Sequence, residues 1–434
     1  MTVRGAAFLG IGAMVGAGIF ALLGEAGTVA GSAVWLSFLI AGVVSALLGY
    51  TVVKLGVRYP SSGGIIAYLM QGFGNGRLVG IASWLGYAAA IVIVCSMVAV
   101  SFGSYASSLF VGDDAGSGWD NAFTSGIVVA MAAINVVGSR WVDKAQTLIV
   151  VLLLAVFAVF IVVTIVDIDP DLLAFSGYPS FSKILASVAL TFFAYLGFSV
   201  ITFAAGDLRD PARELPKAMY GALGVTTLLY ILIALSVFGT LTVEEAVGFG
   251  ETAIAEAARP ALGDAGFTMM AIAALLATSS SVNATLYASG GLTAMLAQVG
   301  QFPTFFGRGS RLGPHAGLLI TSALVLAIAN LVDLSAIASV GSAISLVIFL
   351  LVGVAAYRLR VEIGALAAVV VAAIALTALV LVFFAIDTVR NAPETFSAIV
   401  AIAALAVVLD LVWKRVRPSE PAAAEPLGSP PSAS

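Results

Sequence analysis

Charge is scarce in this chain of 434 residues: only 10% are Asp, Glu, Lys or Arg, while 61% are apolar. A typical soluble domain carries about 25% charged and about 45–50% apolar residues. Too few charges remain to cover a water-facing surface, which excludes a soluble globular enzyme. Cysteine is almost missing as well. The single Cys95 sits inside an apolar run and excludes a disulfide framework, a cysteine metal site and a redox pair. The one histidine, His315, lies beside an expected loop and reads as a solvated helix-end residue. The net charge of -4 is thinly spread, and without a basic cluster nothing points to nucleic acid.

What is present is apolar length. A helical span needs roughly 20 apolar residues. Stretches bounded by charges, Pro or Gly mark twelve such spans, near 5–28, 32–55, 78–111, 122–138, 146–166, 182–205, 217–240, 265–298, 315–332, 334–357, 363–386 and 395–413. The first is too long for a leader peptide and lacks a small-residue cleavage site. Residues 415–434 are rich in Pro, Ala and Ser and read as a disordered cytosolic tail. The expected class is an all-α polytopic membrane protein with the lipid bilayer as its partner.

Loop charges test that count. With the N-terminus in the cytosol, 16 of the 19 basic residues fall on the cytosolic side, and only Lys183, Arg259 and Arg390 fall outside. An excess of Lys and Arg sets orientation, so the split predicts an even number of spans and two cytosolic termini. Of the acids, seven lie in cytosolic segments, fifteen in outer loops or span ends, and Asp410 near the inner end of the last span. None is expected at the bilayer midplane, where an ionisable group is costly and usually functional. That argues against a carboxylate proton relay, a voltage sensor and a membrane-embedded acid–base enzyme. Neither a metal nor a cofactor is called for.

Glycine carries the sharpest signal. The first span reads "FLGIGAMVGAGIFALLGEAG", with Gly10, Gly12, Gly16 and Gly18 crowded into its middle. Each costs about 1 kcal/mol relative to Ala in a helix interior. Gly12 and Gly16 form a GxxxG pair suited to close packing. At about 100° per residue, however, the four point in directions no single seam can use. The other reading is a broken helix, whose free N–H groups meet an anion and whose unwound carbonyls meet a cation. In the sixth span, "TFFAYLGFSVITFAAGDLRDPARELPKAM", Gly197 interrupts an aromatic stretch, and Asp210 and Pro211 suit the N-cap and first turn of the next helix. Interrupted segments at equivalent positions of two halves point to a transporter site.

The segments "GAMVGAGIF", "YPSSGGIIAYLMQGFG" and "GDLRDPARELPKAM" resemble the signatures of the amino acid/polyamine/organocation permeases, over roughly the first 300 residues. The resemblance implies a LeuT-like fold. Inverted five-span repeats would cover about 5–166 and 182–357, with peripheral helices over about 363–413, in a transporter domain of 1–414. It places a substrate α-carboxylate on the N–H groups of Gly16, Ala17 and Gly18. The ammonium would meet carbonyls near Met14 and at Phe193, Ala194 and Leu196, with the Phe193 ring as an aromatic gate. Two departures stand out: Leu153 occupies the position of a Lys found in some proton-coupled members, and the Arg often found in span 8 is missing near Gly291. Thr278, Ser279, Ser280, Ser281 and Asn283 offer either local helix bonds or, as a second reading, a sodium site. The expectation is a secondary transporter of neutral amino acids in the cytoplasmic membrane, with sodium or proton coupling open. An exchanger, a polyamine or organocation carrier and, more remotely, a channel are the alternatives.

Overall fold

Inside a bilayer no water is available to backbone N–H and C=O groups, so an apolar run must close its own hydrogen bonds, and a helix does so within one segment. The computed structural model, which describes residues 2–60, 64–112, 117–137, 142–307, 313 and 315–416, follows that constraint throughout. Span 1 is α1 (Val3–Ala17) with α2 (Ile19–Ala30), and span 2 is α3 (Val34–Arg58). A short helix α4 (Gly64–Phe73) precedes span 3, which joins α5 (Arg77–Tyr87) to α6 (Val94–Phe110) through a π-helical turn, Ala88–Ile93. Spans 4 and 5 are α7 (Ser117–Val137) and α8 (Val142–Thr164). Span 6 is α9 (Phe181–Phe193) followed by a 3-10 stretch, Leu196–Asp207, and span 7 is α10 (Pro211–Thr240). Two short helices, α11 (Val243–Gly248) and α12 (Ala253–Glu256), lead to span 8, α13 (Arg259–Gln298). Spans 9 to 12 are α14 (Ala316–Leu331), α15 (Leu334–Arg358), α16 (Ala367–Asn391) and α17 (Pro393–Val416).

All twelve expected spans are therefore helical. Eight described stretches are long and apolar enough to cross a membrane unaided, and the bent span 6 makes nine. One of the eight, Ile19–Arg58, joins half of span 1 to span 2, and Gly31, at φ 53°, divides them. Shorter apolar helices supply α1 and spans 5 and 9. The helix α4 falls between the expected spans 2 and 3, and its 10 residues are too few to span. Gly263 does similar work in α13. Its φ of 61° sets the first turn of that helix apart from the membrane-crossing part. The tail expected over 415–434 lies, from residue 417 onward, outside the described residues.

Packing carries an internal symmetry. Span 1 contacts span 6, and spans 2, 3 and 4 contact spans 7, 8 and 9. Contacts between spans 2 and 6 are matched by those between 7 and 1, and contacts between 3 and 4 by those between 8 and 9. The pairs 1 with 5 and 5 with 8 are likewise matched by 6 with 10 and 10 with 3. Adding five to a span number thus maps one half onto the other. Because five is odd, the second unit enters from the opposite side, and the repeat is inverted.

Polar side chains tie the spans together where water is absent. The Thr191 and Tyr195 hydroxyls of span 6 donate to the carbonyls of Ser37 and Phe38 in span 2, at 3.0 Å each. Asn135 of span 4 donates to the Asn283 side chain of span 8 at 2.8 Å. At the C-terminal end of span 12 the buried Asp410 pairs with Lys414 at 2.9 Å beside Gly80, which seats α17 against α5. The expected start of α10 also holds. Asp210 is its N-cap and Pro211 its first residue, but the exposed turn is capped by Glu214, whose carboxylate accepts from the N–H groups of Arg209 and Asp210 at 3.1 and 3.4 Å.

Exposed positions on the connecting segments allow a direct test of orientation. In a Cys95→Ser background, cysteines at Ser176 and Glu244 are expected to react with an impermeant thiol reagent on intact cells, and cysteines at Ala212 and Val361 are not. The reverse pattern would invert the chain, and a mixed one would change the span count.

Candidate functional site

The hydrogen-bond ladder of span 1 stops and restarts near its middle. Its last bond in α1 runs from the Gly18 N–H to the Met14 carbonyl at 3.0 Å, and α2 begins with the Leu22 N–H on the Gly18 carbonyl, also 3.0 Å. Gly18 belongs to neither helix and is the cap of both. A helix start leaves its first N–H groups without an intrahelical partner, and a helix end leaves its last carbonyls likewise. One point thus combines the positive end of α2 with the negative end of α1.

The residues expected as donors, Gly16, Ala17 and Gly18, stand at this break. Gly16 and Ala17 lie inside α1, and the Gly18 N–H is occupied by Met14. Of Ala17 only the backbone is described.

Span 6 breaks beside it. Beyond Phe193 the chain turns by 41°, with the Ala194 N–H on the Thr191 carbonyl at 3.2 Å and the Tyr195 N–H on the Phe192 carbonyl at 2.9 Å. The 3-10 stretch that follows runs for 12 residues. Runs of this kind beyond three or four residues are uncommon and mark hinges or strain. The Ala194 carbonyl accepts the Tyr230 hydroxyl at 3.2 Å, and the Leu196 carbonyl accepts the Ser199 hydroxyl at 3.0 Å. Each carbonyl keeps a second lone pair.

The two breaks touch. A Cβ built on Gly18 would lie 2.6–2.7 Å from Ala194, and one on Gly197 would lie 2.5 Å from the Met14 nitrogen. A Cβ on Gly16 would lie 3.0 Å from the Ala277 carbonyl oxygen of span 8. Close packing and a broken helix are therefore both present, and the same glycines serve both. The Phe193 ring is buried against span 10, where a Cβ on Gly341 would lie 2.5 Å from its Cζ. Of the seven expected residues, Met14, Gly16, Gly18, Phe193 and Ala194 are buried at this crossing, and Leu196 is half-buried.

Sequence reasoning missed two neighbours. Tyr230, fully buried, holds the Ala194 carbonyl and packs against the Phe38 ring at 5.1 Å. The π-turn of span 3 brings Ile93 to within 2.6 Å of the same Gly341 Cβ position. Such turns occur often at functional sites, and "AAAIVI" gives no sign of one. Span 8 behaves mostly as local structure: Thr278 donates to the Ala274 carbonyl at 2.6 Å, and Ser279 donates to that of Leu275 at 2.5 Å. Leu153 is buried in α8, which packs against α1. Among the described residues no group of three or more His, Cys, Asp or Glu could hold a metal ion.

Paired helix breaks at the centre of an inverted repeat define a membrane transporter. The family model for amino acid permeases matches residues 2–411. The chain is 32% identical over 407 residues to the inner membrane transport protein YbaT of Escherichia coli (strain K12), covering 94% of each. It is 28% identical over 377 residues to the methylthioribose transporter of Bacillus subtilis (strain 168), covering 81% of this chain and 79% of that one. To the serine/threonine exchanger SteT of the same organism it is 26% identical over 302 residues, covering 68% and 67%. The chain belongs to the amino acid permease family.

The contact between the breaks sets a stability test. Gly18→Ala is expected to destabilise the folded protein by about 1–3 kcal/mol, the usual cost of overpacking a filled core. Gly221→Ala in α10, with nothing within 4 Å of the new methyl, is expected to keep or slightly raise the Tm. Equal thermal unfolding of the two variants in detergent would contradict the close approach of Gly18 to Ala194.

Proposed function

We propose that the protein is a secondary carrier of neutral amino acids, working by alternating access in the cytoplasmic membrane with both termini in the cytosol. The observation that carries this reading is the break of span 1 at Gly18 against the break of span 6, in a chain of the amino acid permease family. The substrate carboxylate meets the start of α2, at the N–H groups of Ile19, Phe20 and Ala21 that follow Gly16, Ala17 and Gly18. The ammonium meets the carbonyl ends of α1 and α9, from Val15 and Gly16 to Phe193 and Ala194. A zwitterion is neutralised there by backbone alone. That accords with the buried apolar side chains around the crossing and with a preference for neutral substrates.

Transport then follows from the bistability of the breaks. Each half-span pivots about a point where its ladder is already interrupted, so opening to either side sacrifices no further helix bond. The coupling ion, sodium or proton, is a separate question that uptake with and without each gradient resolves. Indifference to both would favour exchange over coupled uptake.

Reconstituted protein is expected to take up a radiolabelled neutral amino acid saturably and stereoselectively. The amide of that amino acid, which lacks the anionic carboxylate, is expected to compete roughly ten- to a hundredfold more weakly, because a charge-assisted hydrogen bond contributes about 1.5–3 kcal/mol. Equal competition by the amide would contradict the carboxylate assignment. Competition by methylthioribose, with none by any amino acid, would replace the substrate class.

A further inference from the structure

A cavity of about 250 Å³ opens on the face opposite the basic loops, between the ends of spans 1 and 11 and the beginnings of spans 6 and 10. Its lining includes Thr28, Lys183, Leu190, Ser335, Ser339 and Asp387. The volume is below the roughly 300–1,000 Å³ of pockets for drug-sized ligands and suits a small solute.

Its two charges are out of place by local rules. Lys183 sits in the first turn of α9, where the helix dipole disfavours a cation, and Asp387 sits near the carboxyl end of α16, where it disfavours an anion. Among the described residues Lys183 makes no ion pair, and Asp387 accepts only from the Asn391 amide of its own helix, at 2.7 Å. Lys183 is also one of only three basic residues outside the basic-loop segments. Opposite charges on one cavity, each disfavoured by its own helix and neither neutralising the other, are the kind of local conflict that functional sites retain.

Two of the elements that line the cavity also carry residues of the crossing. Leu190 lies one turn before Phe193 on α9, and Ser339 lies two residues before Gly341 on α15. The Phe193 ring packs against Gly341.

We propose that this cavity is an outer-face binding site for a zwitterionic amino acid, with the carboxylate on Lys183 and the ammonium on Asp387, occupied before the substrate passes Phe193. The inference rests on the amino-acid reading above and adds a second, side-chain site to it. Two charged contacts in a partly solvated vestibule suit a transient hold: each is weaker than its buried equivalent, and the substrate can leave.

The test is the concentration dependence of amino acid uptake measured separately from each face, in right-side-out and inside-out vesicles. The probe is the radiolabelled amino acid that the wild-type protein transports best among the twenty. Lys183→Met and Asp387→Asn are each expected to raise the half-saturating concentration at the outer face about tenfold. Half-saturation at the inner face and the maximal rate should stay at wild-type values, and Lys183→Arg should stay near wild type at both faces. Unchanged outer half-saturation, or an equal rise at both faces, would overturn the site while leaving the amino-acid reading intact. A wild-type protein that takes up none of the twenty would overturn that reading and this site with it. Neither side chain has an ion pair to lose, so both variants should keep the wild-type Tm; should one misfold, the other decides.

Discussion

A helix in hydrocarbon has nowhere but itself to place its backbone hydrogen bonds, and each unpaired N–H or carbonyl there costs several kcal/mol. Span 1 nevertheless breaks at Gly18, between α1 and α2. Such an interruption persists only where the surrounding structure supports it. Support comes from span 6, whose own break lies against Gly18, and from span 8, which meets Gly16. The inverted repeat brings these elements together, since spans 1 and 6 are the same element of two units facing opposite ways.

Small residues make the crossing possible. Any side chain at Gly18 or Gly197 would collide with backbone atoms of the other span at 2.5–2.7 Å, where no rotamer change brings relief. The glycines therefore allow two backbones to meet at the place where each has exposed groups. Around them the structure is firm: hydroxyls of Thr191, Tyr195 and Tyr230 fix span 6 to spans 2 and 7 and to its own broken segment. A rigid frame around two interrupted helices is the arrangement in which small rotations of half-spans switch access from one side to the other.

The fold was legible because bilayer thickness imposes a length on every apolar run, and because loop charges checked the count independently. All twelve runs are helices, with ends close to those expected. What escaped detection was structure without a compositional mark. The helix α4 is too short to register as a span, and its apolar residues follow a run of Ser and Gly that reads as loop. The π-turn at Ala88–Ile93 is made of residues that fit an α-helix equally well. At the site, the glycine cluster located the break of span 1, and the first amides of α2, Ile19, Phe20 and Ala21, follow directly after it. Tyr230 was invisible for another reason. Its contact with Ala194 joins residues 36 positions apart, and no local pattern announces it.

The account turns on those three amides. Site-resolved hydrogen exchange of Ile19, Phe20 and Ala21 in the reconstituted protein, with and without a saturating neutral amino acid, reads them directly. If they receive the substrate carboxylate, their exchange slows on binding while that of Leu22, already bonded to Gly18, stays unchanged. Exchange at Ile19, Phe20 and Ala21 that is the same in the free and the saturated protein would contradict the assignment of this break as the substrate site.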